Sequence, residues 1–221
     1  MELNDVMRTT FSARDYTGDP VPDEVIYDIL DTARFAPSGG NRQGNRVIIV
    51  RDQETRDRIS KIAEQPAKIY AAQRDAGESP WNTIVPSDVT AQRIEETPPL
   101  DILVEPYRNA SVVLVFAVDL RVVASMDKEL DRIGVISGAS IYPFVWNTLL
   151  AARQAGFGGT ITTVPVANEP EVKKLLNIPL EYAVSALVPL GKPVKQLTRL
   201  RRKPVEKIAT RGTFDGEPFT V

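Results

Sequence analysis

One domain in which helices alternate with short buried strands is what this sequence predicts, on three observations. The 221 residues fit a single domain, with room for an inserted lobe. Hydrophobic residues make up 43% of the chain, enough for a sizeable core without metal or disulfide staples. Apolar runs of strand length are interleaved with segments of helical periodicity, the strands few and the helices uneven.

The elements follow in order. Residues 2–10 read as a short helix. Gly18-Asp19-Pro20 is a turn, and Val21-Pro22 leads into a helix from Asp23 to Ala36. Val25, Ile26, Ile29, Leu30 and Ala33 fall on one stripe of it. Pro37 ends that helix, because proline disfavours helical geometry at the residue before it. Pro37 to Asn45 is a polar, glycine-rich loop, and Val47-Ile48-Ile49-Val50 is a buried strand. Asp52 is placed to cap the next helix, which carries Ile59 and Ile62.

From about 64 to 108 the pattern breaks, with Pro66, Pro80, Pro86, Pro98, Pro99 and Pro106 set among Tyr70, Trp81 and Tyr107. So long an irregular stretch predicts a lid or small lobe rather than a plain connection. Ser111 to Asp119 is the second strand. Residues from about 132 to 155 predict a long helix with a kink or break near Pro143, capped at Gly156. Gly159 to Thr163 is the third strand. Asn168 with Glu171 predicts a capping-box start to a helix through Leu176, and Ala183 to Leu190 is the fourth strand.

The chain has no cysteine and no histidine. Disulfide scaffolds, cysteine nucleophiles, Ser-His-Asp triads, ordinary zinc sites, histidine-held haem and cysteine-held iron–sulfur clusters are all excluded. No metal site is expected. Chemistry is left to carboxylates, Lys, Tyr, Ser/Thr, backbone groups or a bound organic cofactor. The acidic start, Met1-Glu2-Leu3-Asn4-Asp5, carries no apolar signal stretch. The longest apolar run, Val112 to Val118, is far short of the ~20 residues that span a bilayer. A soluble cytoplasmic protein with no membrane partner is the expectation.

The net charge of −2 hides an asymmetry. Lys192, Lys195, Arg199, Arg201, Arg202, Lys203, Lys207 and Arg211 face a single acid, Glu206, in the segment they span. Such a basic tail suits nucleic acid, a phosphorylated ligand, or a solvated face answering an acidic body. Nothing else resembles an RNA or DNA module, so no nucleic-acid partner is expected.

Three segments could carry chemistry. Ser12 and Arg14, two residues apart on an extended segment, can face one side and offer a phosphate a hydroxyl and a charged fork; a surface arginine paired with Asp15 or Asp19 is the plainer alternative. The loop after Ala36 lets backbone approach a planar or phosphorylated ligand at its glycines, while Ser38, Asn41 and Gln43 supply donors and acceptors. An ordinary helix-to-strand turn uses the same residue types. Ala155-Gly156-Phe157-Gly158-Gly159-Thr160 can aim backbone N–H groups at a ligand, or can simply be a helix cap and tight turn.

The order of these segments resembles the flavin-dependent nitroreductase family. The resemblance lies in Ser12-Ala13-Arg14-Asp15-Tyr16, then Val21-Pro22, then a helix ending Ala33-Arg34-Phe35-Ala36-Pro37-Ser38-Gly39-Gly40-Asn41-Arg42-Gln43. Gly156-Phe157-Gly158-Gly159, Leu190-Gly191-Lys192-Pro193 and Arg201-Arg202-Lys203-Pro204 are similar to the later parts of its pattern.

That resemblance implies an α+β fold over residues 1–221, a central mixed sheet wrapped by helices, in an intertwined homodimer. The stretch at about 64–108 would be the lid or lobe, and residues 192–221 an arm embracing the partner. Tightly bound FMN would sit at the interface. Ser12, Arg14 and Arg202 would hold its phosphate, with Arg8 and Arg201 as further candidates. Pro37, Ser38, Gly39 and Asn41, with Gln43 on the same loop, would line the flavin from the other subunit. Gly158 and Gly159 would set backbone donors near its redox edge.

The implied activity passes electrons from NAD(P)H through the flavin to a small, flat, electron-poor acceptor such as a nitroaromatic or quinone. No side chain acts as an acid, base or nucleophile, since the cofactor carries the chemistry. A flavin-binding or flavin-sequestering protein without efficient turnover is the alternative. Two positions depart from the family pattern. Thr10-Phe11 stand where an arginine pair is common, and Gly44-Asn45 where Pro-Trp is common. The second departure predicts a more flexible loop or a different surface toward the cofactor.

Overall fold

A four-stranded antiparallel sheet divides the molecule, with helices on both of its faces, in a computed structural model that describes residues 1–221. The strands are β1 (Asn45–Val50), β2 (Val112–Asp119), β3 (Gly158–Gly159) and β4 (Tyr182–Gly191), ordered β1-β2-β4-β3. Every residue of β2 is buried, so its alternate side chains feed two separate cores. Val112, Leu114 and Phe116 join Ala186, Val188 and Leu190 of β4 on one face, under α2 (Asp23–Ala33) and α6 (Tyr142–Gln154). Val113, Val115 and Ala117 join Val184 and Leu187 on the other. There they meet α3 (Gln53–Asp75), α5 (Asp101–Asn109) and α7 (Glu169–Leu176). The two short helices left are α1 (Leu3–Thr9) and α4 (Ala91–Glu96).

The α+β class holds, with one correction. The resemblance implies a mixed sheet, whereas all three strand pairs are antiparallel and the parallel component is a single bridge, Ser12 to Gly159. Asp52 caps α3 as expected, accepting the Thr55 N–H at 2.8 Å. That helix then runs on to Asp75, well into the stretch read as irregular, with Pro66 in its interior.

A proline in a helix leaves the carbonyl four residues back without its donor, here that of Ile62. The Asn168 side-chain amide donates to that carbonyl at 3.2 Å. With its amide turned toward Ile62, Asn168 accepts no N–H from α7, and the expected capping box does not form: α7 starts with no side-chain cap.

Two further boundaries differ. The helix expected from about 132 begins only at Tyr142, with Pro143 in its first turn, where a missing N–H breaks no helical bond. The third strand is cut to two residues, although Thr162 still exchanges both backbone bonds with Leu187, at 2.9 and 2.8 Å, in unbroken register. That register puts Thr160 opposite Pro189, which has no N–H to give, and the Pro189 carbonyl accepts the Tyr16 hydroxyl at 2.9 Å instead. The ladder therefore fails at Thr160.

Beyond β4, Val194 donates to the Asp15 carbonyl at 3.1 Å and Gln196 to that of Thr9 at 3.0 Å, keeping the chain beside Ser12. From Leu197 on, the backbone and side-chain hydrogen bonds are local to the tail, and Val205, Ile208, Phe214 and Phe219 are exposed.

Candidate functional site

The interrupted strand and the Ser12 segment make one corner of the site. Ala13 donates its N–H to the Gly159 carbonyl at 3.0 Å, which seats Ser12-Ala13-Arg14 along Gly158-Gly159. Both glycines are buried, and Gly159 has a steric reason of its own: a Cβ there would lie 2.6 Å from the Pro189 carbonyl oxygen. The half-buried Arg14 lines a cleft of about 200 Å³ with Tyr70, Tyr107, Thr160, Thr162 and Thr163. Arg14 forms no ion pair; its one hydrogen bond is a long 3.4 Å contact to the Ser12 carbonyl. The backbone N–H groups of Thr160, Ile161 and Thr163 make no backbone hydrogen bond.

An unpaired guanidinium, an exposed serine hydroxyl and the unbonded Ile161 N–H beside them are groups of the kind that can receive an anion. The surroundings support Arg14 sterically rather than by charge. Burial pushes the Tyr16 and Tyr107 phenols far above their usual range, so both stay neutral beside it. Tyr107 is also hydrogen-bonded to the Thr162 hydroxyl at 2.9 Å.

Arg8, Arg201 and Arg202 are exposed, and no hydrogen bond joins them to Ser12 or Arg14. Where the resemblance leads one to expect an arginine pair, Thr10 is buried with its hydroxyl on the Val6 carbonyl, and Phe11 packs against the Ala13–Tyr16–Ala110 cluster. These two residues serve packing.

The glycine-rich loop makes a second corner. Its Ser38 hydroxyl accepts the Gln43 N–H at 3.0 Å, and Gln43 Nε2 donates to Asn41 Oδ1 at 3.1 Å. Asn41 and Gln43 both hold left-handed backbone, at φ 52° and 49°, a conformation that asparagine tolerates better than most residues. Pro37, Gly39, Asn41 and Gln43 are exposed.

The Gly44-Asn45 departure tethers the loop rather than freeing it. The Gly44 carbonyl accepts the Asp119 N–H at 2.9 Å, and a Cβ on Gly44 would lie 2.6 Å from Val122 Cγ2. Val122 belongs to an irregular segment organised by Asp127, whose carboxylate accepts N–H bonds from Val135 and Ile136 and pairs with Arg132. Those donors hold Asp127 well below the usual carboxylate range.

The sheet register keeps these corners apart. Asn45 pairs with Val118 and Val118 with Ala183 at one end, while Gly159 pairs with Leu190 at the other, three strands across. At ~4.8 Å between strands and ~3.3 Å per residue, roughly 25 Å lies between them. Helix α6 runs the same way, since its 13 residues cover about 20 Å between the two corners. One chain thus holds two half-sites at diagonal corners. Of the residues expected at the site, Ser12 and Arg14 stand at one corner and the Ser38–Gln43 loop at the other. Sequence reading placed Tyr107 only within the lid stretch and Thr162 and Thr163 only in a strand, although threonines on either side of Ile161 just past a Gly-Gly turn are a readable signal.

The comparisons with known proteins agree with this architecture. An iodotyrosine deiodinase of Nematostella vectensis is 28% identical over 204 residues, covering 91% of this chain and 72% of that protein. A protein named NADH dehydrogenase from Thermus thermophilus is 29% identical over 204 residues, covering 89% of each. A solved structure of oxidised iodotyrosine deiodinase bound to FMN and 3-iodo-L-tyrosine superposes with a TM-score of 0.69 at 22% identity. That match covers 96% of this chain and all of the other, and it shows the shared fold. The sequence pattern of the nitroreductase family matches residues 7–192, from α1 to the exit of β4 and so through both half-sites, and the chain belongs to that family.

Proposed function

We propose that the chain is an FMN-dependent oxidoreductase that works as a homodimer, taking electrons from NAD(P)H and passing them to a small, flat, electron-poor acceptor. The diagonal placement of the half-sites carries this reading. The donors suited to a phosphate and the loop suited to a flavin ring lie too far apart to meet in one chain, and two chains in antiparallel arrangement bring one corner of each together. The residues fit the cofactor: Ser12, Arg14 and the unbonded Ile161 N–H would hold its phosphate end. Pro37, Ser38, Gly39, Asn41 and Gln43 of the other protomer would line the ring. Arg8, Arg201 and Arg202 would reach the phosphate from α1 and the tail. Gly158 and Gly159 would bring backbone close to the redox edge.

FMN, when bound, supplies the two-electron chemistry between nicotinamide and acceptor. The protein's own tasks are to fix both ends of the cofactor, keep neutral phenols around Arg14, and leave one ring face open to flat partners. The exposed apolar grooves beside α2 support the dimer, one lined by Leu3, Val25 and Leu150, the other by Tyr27, Ile49 and Phe144. So does the tail, whose exposed Ile208 and Phe214 lack a core to enter. Of the stretch at about 64–108 expected as a lid or lobe, the part between α3 and α5, with Trp81, Ile84 and Val85 exposed, would act as the lid.

Visible spectra of the purified protein with NADH and NADPH test the reading: retained or reconstituted yellow flavin that bleaches on reduction is expected. Protein that cannot be loaded with FMN overturns it, while tight FMN without reduction supports a flavin-sequestering role. The deiodinase relatives favour a second reading, in which the acceptor is a halogenated phenol losing halide. Iodide release from 3-iodo-L-tyrosine by the reduced protein distinguishes the two.

A further inference from the structure

One serine outside the family motif grips the glycine-rich loop at both ends. Gly39 donates its N–H to Ser140 Oγ at 3.0 Å, and Asn45 Nδ2 donates to the Ser140 carbonyl at 3.2 Å. Gly39 opens the loop and Asn45 opens β1, so the two bonds bracket Asn41 and Gln43, the residues in left-handed backbone. Backbone held in that region relaxes unless its surroundings fix it. Asn45 also keeps a buried Oδ1 with no donor, an unfavourable arrangement for an amide that had no other use. The Ser140 bond is that use. Ser140 itself closes the short helical turn Ile136–Ser140 ahead of α6, and so belongs to the Asp127-organised segment rather than to the loop.

We propose that Ser140 is a positioning residue for the cofactor: it fixes the Ser38–Gln43 loop in the shape that meets the flavin ring. The proposal rests on the FMN reading above. The shape of the loop then depends on the segment between β2 and α6, where Met126, Leu130, Ile133 and Val135 are exposed. Changes in that segment therefore reach the loop through Ser140.

Ser140→Ala removes the acceptor oxygen and Ser140→Thr keeps it. FMN titration by fluorescence, the spectrum of the bound flavin, and trypsin cleavage after the exposed Arg42 read the outcome, with melting of the FMN-free protein as the control. For Ser140→Ala we expect FMN affinity about 3- to 10-fold weaker, a displaced flavin absorption band and faster cleavage at Arg42, with melting close to wild type. Ser140→Thr is expected to restore all three. If Ser140→Ala does not fold, Asn45→Ala cuts the other grip and carries the same expectations. Wild-type affinity, spectrum and cleavage rate in Ser140→Ala overturn the proposal while leaving the FMN reading intact. A wild-type chain that takes up no FMN overturns both.

Discussion

Arg14 is the residue on which the phosphate assignment turns, because it is a half-buried guanidinium without a carboxylate. Arg14→Ala is expected to weaken FMN binding by ~1.5–3 kcal/mol, the range for hydrogen bonds to charged groups; unchanged affinity in a fluorescence titration rejects the assignment. Gly159 answers to a different force. Its missing Cβ makes room for the Pro189 carbonyl, so Gly159→Ala is expected to cost about 1–3 kcal/mol of stability by overpacking, seen as a lower denaturant midpoint. Ser12 and Arg14 were legible in sequence because a two-residue spacing puts them on one side of an extended chain. The break in the ladder at Thr160 was not. It depends on Pro189 standing opposite and on Tyr16, 173 positions from Pro189, taking the carbonyl, and neither contact has a local signature.

The helices were legible where periodicity and caps agree, as in α2 and at Asp52. Reading failed where one element's defect is repaired by another. Pro66 looks like a break, and in isolation it would be one. Asn168 reverses that by donating to the orphaned Ile62 carbonyl, and in doing so gives up the cap that its own sequence context predicts. A double-mutant cycle tests this exchange. Asn168→Ala alone is expected to cost about 1 kcal/mol. In a Pro66→Ala background, where the helix can satisfy Ile62 itself, most of that cost should vanish. Equal costs in both backgrounds, measured by urea unfolding, would falsify the repair. The third strand was misjudged for a related reason: its residues keep the register, but the partner strand offers a proline.

For the molecule as a whole, 50 of 221 residues are buried, leaving apolar grooves and an exposed tail as surface for a second chain. Sedimentation of the full chain is expected to show a dimer. Deleting residues 197–221, which are not tied to the body by hydrogen bonds, is expected to weaken both dimer and FMN retention while leaving the far-ultraviolet circular dichroism of the body near that of the full chain. A truncated protein that dimerises and holds FMN as well as the full chain rules out an embracing arm. The diagonal half-sites carry one more consequence, for inheritance. On the proposed dimer, a chain impaired at Arg14 and a chain impaired at Asn41 are each expected to lack an unimpaired pocket when alone. Mixed in equal amounts, they form hybrid pairs with one pocket doubly broken and the other whole. Random pairing leaves about a quarter of all pockets intact, so two non-functional alleles should complement each other in the same cell.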